Sequence, residues 1–269
     1  MSQDSPPAET SEALQGTPTE TPKPRDGTVQ SVSIASDFLR ILSAAEQALP
    51  LGEIAKRVGT GRSTAHRYMQ SLVKEGLAQQ DPVSGHYDLG PLSLSIGVAA
   101  LRRVDPVEIA GRYIKELSQT HAISAGIAIW TERGPTVIRW HNSAYFAISA
   151  IGLGTILPID NTACGLVCQA YLPARSIIEA REHQPEDFRG TPPTAALLNQ
   201  VYKEKWCELT SHLLPNVTGQ AAPIFDAQGD LACIVTSVAD LGRMQSPEQL
   251  SALKAAADAI NRETGGLSL

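Results

Sequence analysis

The chain has 269 residues, 42% of them hydrophobic, which is enough apolar material for two modest cores. Its formal charge of -6 excludes a chain-wide basic field for nucleic acid or anionic membrane, so any such surface must be a local cluster. No apolar run reaches the roughly 18 residues of a membrane span, and the start lacks a basic-then-apolar leader; both predict a cytoplasmic protein.

Residues 1–27 are rich in Pro, Ser, Thr and Glu with almost nothing to bury, so they are predicted to be a disordered tail. From there Val32, Ala35, Leu39 and Leu42 fall at helical spacing and predict a first helix over about 31–46. Pro50 breaks it from a short second helix whose inner side is Ile54, Ala55 and Val58, with Gly59 as a left-handed end. Thr60 is predicted to cap a third helix, with Ala65, Met69, Leu72 and Val73 inward and Gly76 at its close. Two short extended runs, LAQQ and HYDL, flank the turn DPVSG. Three helices followed by a hairpin outline a winged helix-turn-helix over 28–90.

A linking helix is predicted within 91–105, and Asp105-Pro106 caps the next one. The rest, 106–269, alternates hairpin-like strands with helices. Strands are expected at SAGIAIWTE, TVIRWHN, FAISAIG, GQAAPIFD and DLACIVTSV. Helices are expected at about 162–171, at ARSIIEAREH, at about 194–209 and from SPEQ onward, with Ser246 as its cap. The fold class is therefore α+β.

The third helix carries the sharpest signal. Lys56, Arg57, Arg62, Arg67 and Lys74 lie in a stretch without acidic residues, in a chain that is acidic overall. Ser63, His66, Arg67, Gln70 and Lys74 share one helix surface, opposite the apolar one. Arg and Gln read base edges in a major groove, and Ser, Thr and Lys anchor phosphates. Arg62, Ser63 and Thr64 add the donors of a helix N-terminus. At the wing, Ser84 and His86 read equally as phosphate contacts or as turn residues. A solvated charged face is the plainer alternative for the helix alone, but the turn before it and the hairpin after it favour DNA.

The four cysteines, Cys164, Cys168, Cys207 and Cys233, show no C-x-x-C pair and no histidine at zinc-finger spacing, so reduced, buried thiols are expected, with no metal or other cofactor. Two other functions compete. One is a cysteine-dependent enzyme with an accessory winged helix, using Cys164 with His121, His141 or His212; the small apolar neighbours of Cys164 favour burial instead. The other is a winged helix that docks on protein, which a cationic third helix argues against.

LPLGEIAKRVGTGRSTAHRYMQSLVKEGLAQQDPVSGHYDLG resembles the DNA-binding domain of the IclR family of bacterial transcriptional regulators, through Arg62, Ser63, Thr64, His66 and Arg67 and the ending Tyr87, Leu89 and Gly90. The resemblance runs from about residue 28 to the C-terminus. In the second domain it is looser, and GLGTILPIDNTACGLVCQAYLP and QAAPIFDAQGDLACIVTSV carry it. It implies a GAF-like effector-binding domain, a homodimer or dimer of dimers on a palindromic DNA operator, and a small organic acid as effector. By position, the resemblance assigns that ligand to Ala163 and Cys164 at a helix start and to Gly219, Val235 and Ser237 on the late strands. The residues themselves suit an anion there: Thr162 and Cys164 offer side-chain groups beside first-turn N–H donors, and Gly152 and Gly154 let the preceding loop approach.

Four positions depart from the family pattern: Leu166 where a basic residue is frequent, Gly219 for a cysteine, Val235 for a serine and Ile34 for an arginine. The first three make the pocket less polar, and the last takes away one DNA contact. Trp130, Trp140, Tyr145, Phe146 and Trp206 admit a partly aromatic ligand, although each taken singly reads as core.

Overall fold

The computed structural model describes residues 29–121, 123–143, 150–210, 217–240 and 247–266. The predicted tail, most of the predicted strand FAISAIG, Tyr145, Phe146, His212 and Ser246 lie outside the described residues. The chain divides into two compact units, with the division between Ile96 and Gly97.

The first unit begins with α1 (Gln30–Ser43), α2 (Leu51–Val58) and α3 (Arg62–Lys74). Phe38, Ile54, Ala65 and Met69 are fully buried at their junction. The Phe38 and Tyr68 rings stack at 5.3 Å and hold α3 against α1. Gly59 adopts φ +74°, the left-handed conformation that ends α2. Thr60 does not cap α3. Its N–H turns back to the Ala55 carbonyl (3.0 Å) as part of the α2 ending, and Gly61 takes the cap position with no side chain to offer. Strands β1 (Ala78–Gln80) and β2 (Tyr87–Leu89) pair antiparallel, Gln80 opposite Tyr87, and form the wing. Tyr87 also bridges to Leu49, which ties the wing to the chain ahead of α2.

Helix α4 (Pro91–Leu101) follows and holds no charged residue. None of its residues is buried; Leu94 and Ile96 are 71% and 53% exposed.

The second unit opens with α5 (Pro106–His121), whose first N–H groups at Val107 and Glu108 donate to Asp105 Oδ1 (2.9 and 3.1 Å), the cap the sequence predicts. Next come β3 (Ser124–Thr131), β4 (Gly134–His141), α6 (Ala163–Tyr171), α7 (Ala174–Glu182), α8 (Ala195–Glu204), β5 (Cys207–Thr210), β6 (Val217–Phe225), β7 (Leu231–Asp240) and α9 (Pro247–Thr264). The five strands form one antiparallel sheet in the order β4-β3-β7-β6-β5. One face packs on α5 and α9 through Ile127, Val235, Ile114 and Leu253; the other packs on α6, α7 and α8 through Ala128, Ile234, Val167 and Val201. This is the α+β class predicted from the sequence. The helix expected over 194–209 stops at Glu204. Lys205 turns left-handed (φ +50°), and Cys207–Thr210 becomes the edge strand paired to β6, which helical periodicity over so short a run could not reveal.

Met69 carries the centre of the smaller core with no exposure. Met69→Ala is expected to lower stability by about 2–5 kcal/mol. The loss should show as an earlier urea transition of the smaller unit, with the transition of the larger unit unmoved.

Candidate functional site

Two surfaces concentrate chemistry, one on each unit. On the first, Arg62, Ser63, Thr64, His66, Arg67, Gln70 and Lys74 are all exposed along α3, while Ala65, Met69 and Leu72 are buried on its reverse. With no side-chain cap, the first-turn N–H groups of α3 face outward beside Arg62. Arg57, expected in the cationic cluster, is instead neutralised by Glu53 one turn earlier (2.9 Å). Lys56, Arg62, Arg67 and Lys74 form no ion pair among the described residues. In the wing, Asp81 accepts from the Ser84 hydroxyl and from the N–H groups of Val83 and Ser84, so Ser84 is occupied in holding the turn. The same hydrogen bonds lower the Asp81 pKa. His86 is half-buried at the wing's return.

On the second unit, a cavity of about 310 Å³ opens between the start of α6, the sheet face beneath it and the segment 150–158. Thr162 caps α6, accepting from Gly165 N–H (3.0 Å) and donating to the Pro158 carbonyl (2.7 Å). Any side chain at Gly165 would strike the carbonyls of Pro158 and Ile159, so glycine is what lets the helix start press against this loop. The buried loop backbone is satisfied by side chains from far along the chain. Gln184 donates to the carbonyls of Leu157 (3.0 Å) and Arg133 (2.9 Å) and accepts from Ile159 N–H (3.1 Å). Gln169 donates to the Ile159 carbonyl (2.9 Å), and Arg181 grips buried Asp160 (2.7 Å). A loop buried without these partners would carry unpaired polar groups.

Of the residues that sequence reasoning assigned to the ligand, Thr162, Ala163, Cys164 and Gly219 reach the cavity wall. Gly152 and Gly154 do not. They turn the segment so that Gly154 N–H and the Thr155 carbonyl pair with Val137, and the wall begins at Thr155. Val235 and Ser237 are on the opposite face of the sheet: Val235 packs in the α5/α9 core, and Ser237 donates to Gln220 Oε1 (3.0 Å). Relative to the cavity wall, Val235 and Ser237 are one residue out of register. Val238 lies opposite Gly219 and Thr236 opposite Ala221, so these neighbours share the cavity face. Strict alternation across the hairpin would pair Gly219 with Ser237; the register shift between Ile224 and Phe225, which leaves Ala232 unpaired, moves the match to Val238. Trp140, which the sequence admits as a ring for an aromatic ligand but reads singly as core, also lines the wall. Ile138 is an extra, unpaired residue in β4, and the bulge puts Val137 and Trp140 on the same face. Phe188 and Leu209 complete the aromatic and apolar lining. Trp130 packs in the core on that side and Trp206 in the core on the other.

No acidic or basic side chain lines this cavity among the described residues. Cys164 is buried beside Thr236, and burial pushes its thiol up to about 11, away from a reactive thiolate. Burial also raises Cys168, and it raises Cys207 and Cys233 to about 12. Among the described residues, no three His, Cys, Asp or Glu side chains are placed to hold a metal, and no helix is long and apolar enough to cross a membrane.

Residues 31–82 match the model of the IclR helix-turn-helix domain. The glycerol operon regulatory protein of Streptomyces griseus is 25% identical over 250 residues, covering 88% of this chain and 97% of that protein. The crystal structure of Pseudomonas aeruginosa HmgR covers 90% of this chain and 100% of its own at 30% identity, with a TM-score of 0.77. The chain belongs to the IclR family. Like its relatives, this IclR regulator is a DNA-binding transcriptional regulator that responds to a ligand, not an enzyme. An IclR homolog from Microbacterium hydrocarbonoxydans, solved in complex with 4-hydroxybenzoate, shares the fold at 18% identity and a TM-score of 0.50, covering 87% of this chain and 98% of that one.

The thiols give the IclR regulator an alkaline signature. A thiol whose pKa rises above its ordinary 9.0 on folding contributes stability that is intact below pH 9 and lost as pH climbs toward about 11. The urea midpoint is expected to fall between pH 9 and 10.5, and Cys164→Ala is expected to reduce that slope. An identical slope in the variant would show that Cys164 does not titrate this way.

Proposed function

We propose that residues 28–90 bind operator DNA, that 91–105 link the halves, and that 106–269 sense a small aromatic carboxylate. The single observation behind the DNA role is the exposed row Arg62, Ser63, Thr64, His66, Arg67, Gln70 and Lys74 on a helix whose other side is core. Arg67 and Gln70 would face base edges, Lys74 and the first turn of α3 would hold phosphates, and His86 would touch the backbone from the wing. Replacing Arg67 by Ala is expected to weaken binding to a palindromic operator fragment by about 1–3 kcal/mol and to relax base preference, whereas Lys74→Ala is expected to flatten the salt dependence. An unchanged gel shift with Arg67→Ala would remove that side chain from the interface.

Self-association follows from α4. Leu92, Leu94, Ile96, Val98 and Leu101 are all exposed on a helix with no charge, and a second copy is what would cover them. A two-fold dimer places its two α3 helices in successive major grooves, about 34 Å apart. The protein would act in the cytoplasm, where its operator is.

For the ligand, Trp140 and Phe188 offer ring surfaces in a cavity of about 310 Å³. The α6 N-terminus, beside Ala163 and Cys164, offers the positive end of a helix to a carboxylate. The 4-hydroxybenzoate held by the Microbacterium homolog belongs to the same chemical class. Ligand would change operator affinity by binding the two arrangements of the paired DNA heads unequally.

Gly219 gives the test. A Cβ there meets only the Leu209 carbonyl at 3.8 Å and Ala163 Cβ at 3.9 Å, ordinary contacts, so a larger side chain would grow into the cavity. Gly219→Leu is expected to keep operator binding and to abolish the thermal shift produced by aromatic carboxylates. A retained shift would place the ligand elsewhere.

A further inference from the structure

A second concavity, of about 340 Å³, lies at the other end of α6 and is lined by Tyr171, Tyr202, Phe225, Lys203, Lys205 and Gln228. Its floor is built from rings. Tyr171 meets Tyr202 at 5.1 Å and Phe225 edge-on at 5.0 Å, and the Tyr171 hydroxyl is tied to the Tyr202 carbonyl (2.8 Å). Tyr202 nevertheless leaves 56% of its surface to solvent. Two ammonium groups stand at the rim. Neither Lys203 nor Lys205 forms an ion pair among the described residues, and Lys205 Nζ sits 6.0 Å from the Phe225 ring centre. The nearby carboxylates are otherwise engaged: Asp226 Oδ1 accepts from the N–H groups of Gln228 and Asp230, and Glu204 accepts from Gln200.

Lys205 is the one non-glycine residue with positive φ among the described residues. A helix end of this kind is commonly glycine, which takes the conformation without cost. A lysine held there against its preference brings a cation to the aromatic floor, and such local strain collects at ligand-binding positions.

We propose that this groove binds a planar aromatic anion, distinct from the ligand of the larger unit's central cavity. The ring would lie on the exposed face of Tyr202, and the anionic group would meet Lys203 and Lys205. The groove and the central cavity sit at opposite ends of one nine-residue helix, about 14 Å apart by the rise of 1.5 Å per residue.

Benzoate is the probe, titrated by calorimetry into the full-length Gly219→Leu protein, in which the central cavity is filled. Saturable binding is expected, weakened about tenfold or more by adding Lys205→Gly or Tyr202→Ala, with cyclohexanecarboxylate binding more weakly than benzoate. Lys205→Gly is expected to leave the melting temperature unchanged or raise it, since glycine relieves the backbone. No saturable binding, or equal binding with Lys205→Gly, overturns the proposal. So does a Lys205→Gly protein that melts earlier and binds benzoate as before, because the lysine is then a helix end only. Ring-proton shifts of Tyr202 and Phe225 in the unsubstituted protein read the groove directly if Gly219→Leu does not fold. Movement with benzoate that Lys205→Gly abolishes supports the groove, and no movement overturns it. Binding lost in Gly219→Leu but intact in Lys205→Gly leaves the central cavity as the one site and removes this one.

Discussion

The larger unit rests on the two-sidedness of a single antiparallel sheet. Neighbouring residues of a strand point to opposite faces, so one step of register moves a side chain from one core to the other. Thr236 and Val238 face the cavity, while Val235 and Ser237, their immediate neighbours, pack toward α5 and α9 or bond across β6. The same constraint makes the bulge at Ile138 consequential. It brings Trp140 to the cavity side, where an unbroken alternation from Val137 would have sent it away.

The cavity depends equally on how the chain satisfies a buried loop. Residues 157–161 lie under the start of α6, out of reach of water, and their backbone groups are paired by Gln184 and Gln169. Arg181 and Asp160 add a charge-assisted clamp between α7 and the same loop. Removing one partner of such a pair leaves an uncompensated charge, so the clamp is better described as fixing the loop's position than as a net source of stability. An apolar wall held by a polar shell behind it suits a site that must stay open to a small molecule.

In the smaller unit the governing fact is where charge is left unpaired. The chain is acidic as a whole, yet α3 carries cations and no acid within its own length, the first acid after it being Glu75 at its C-cap. The structure sharpens this by taking Arg57 out of the set through Glu53. What remains is a narrow cationic row above a packed core of Phe38, Ile54 and Met69, so the row is presented by a rigid support.

Local sequence determined the elements that depend on nearest neighbours. The three helices and wing, the Gly59 ending, the Asp105 cap and the inward set Ala65, Met69 and Leu72 are set by spacing, by capping chemistry and by the conformational range of glycine. The α+β class, the outward row of α3 and the α6 start at Thr162–Cys164 were legible in the same way. Tertiary structure alone decided the cavity wall, because that wall is assembled from strand pairings, a bulge and side chains far apart in sequence. It also decided that 207–210 joins the sheet as an edge strand, and that Lys205 bends backward beside Phe225. Strand identity and face depend on which partner a segment finds, and no stretch of chain carries that information by itself.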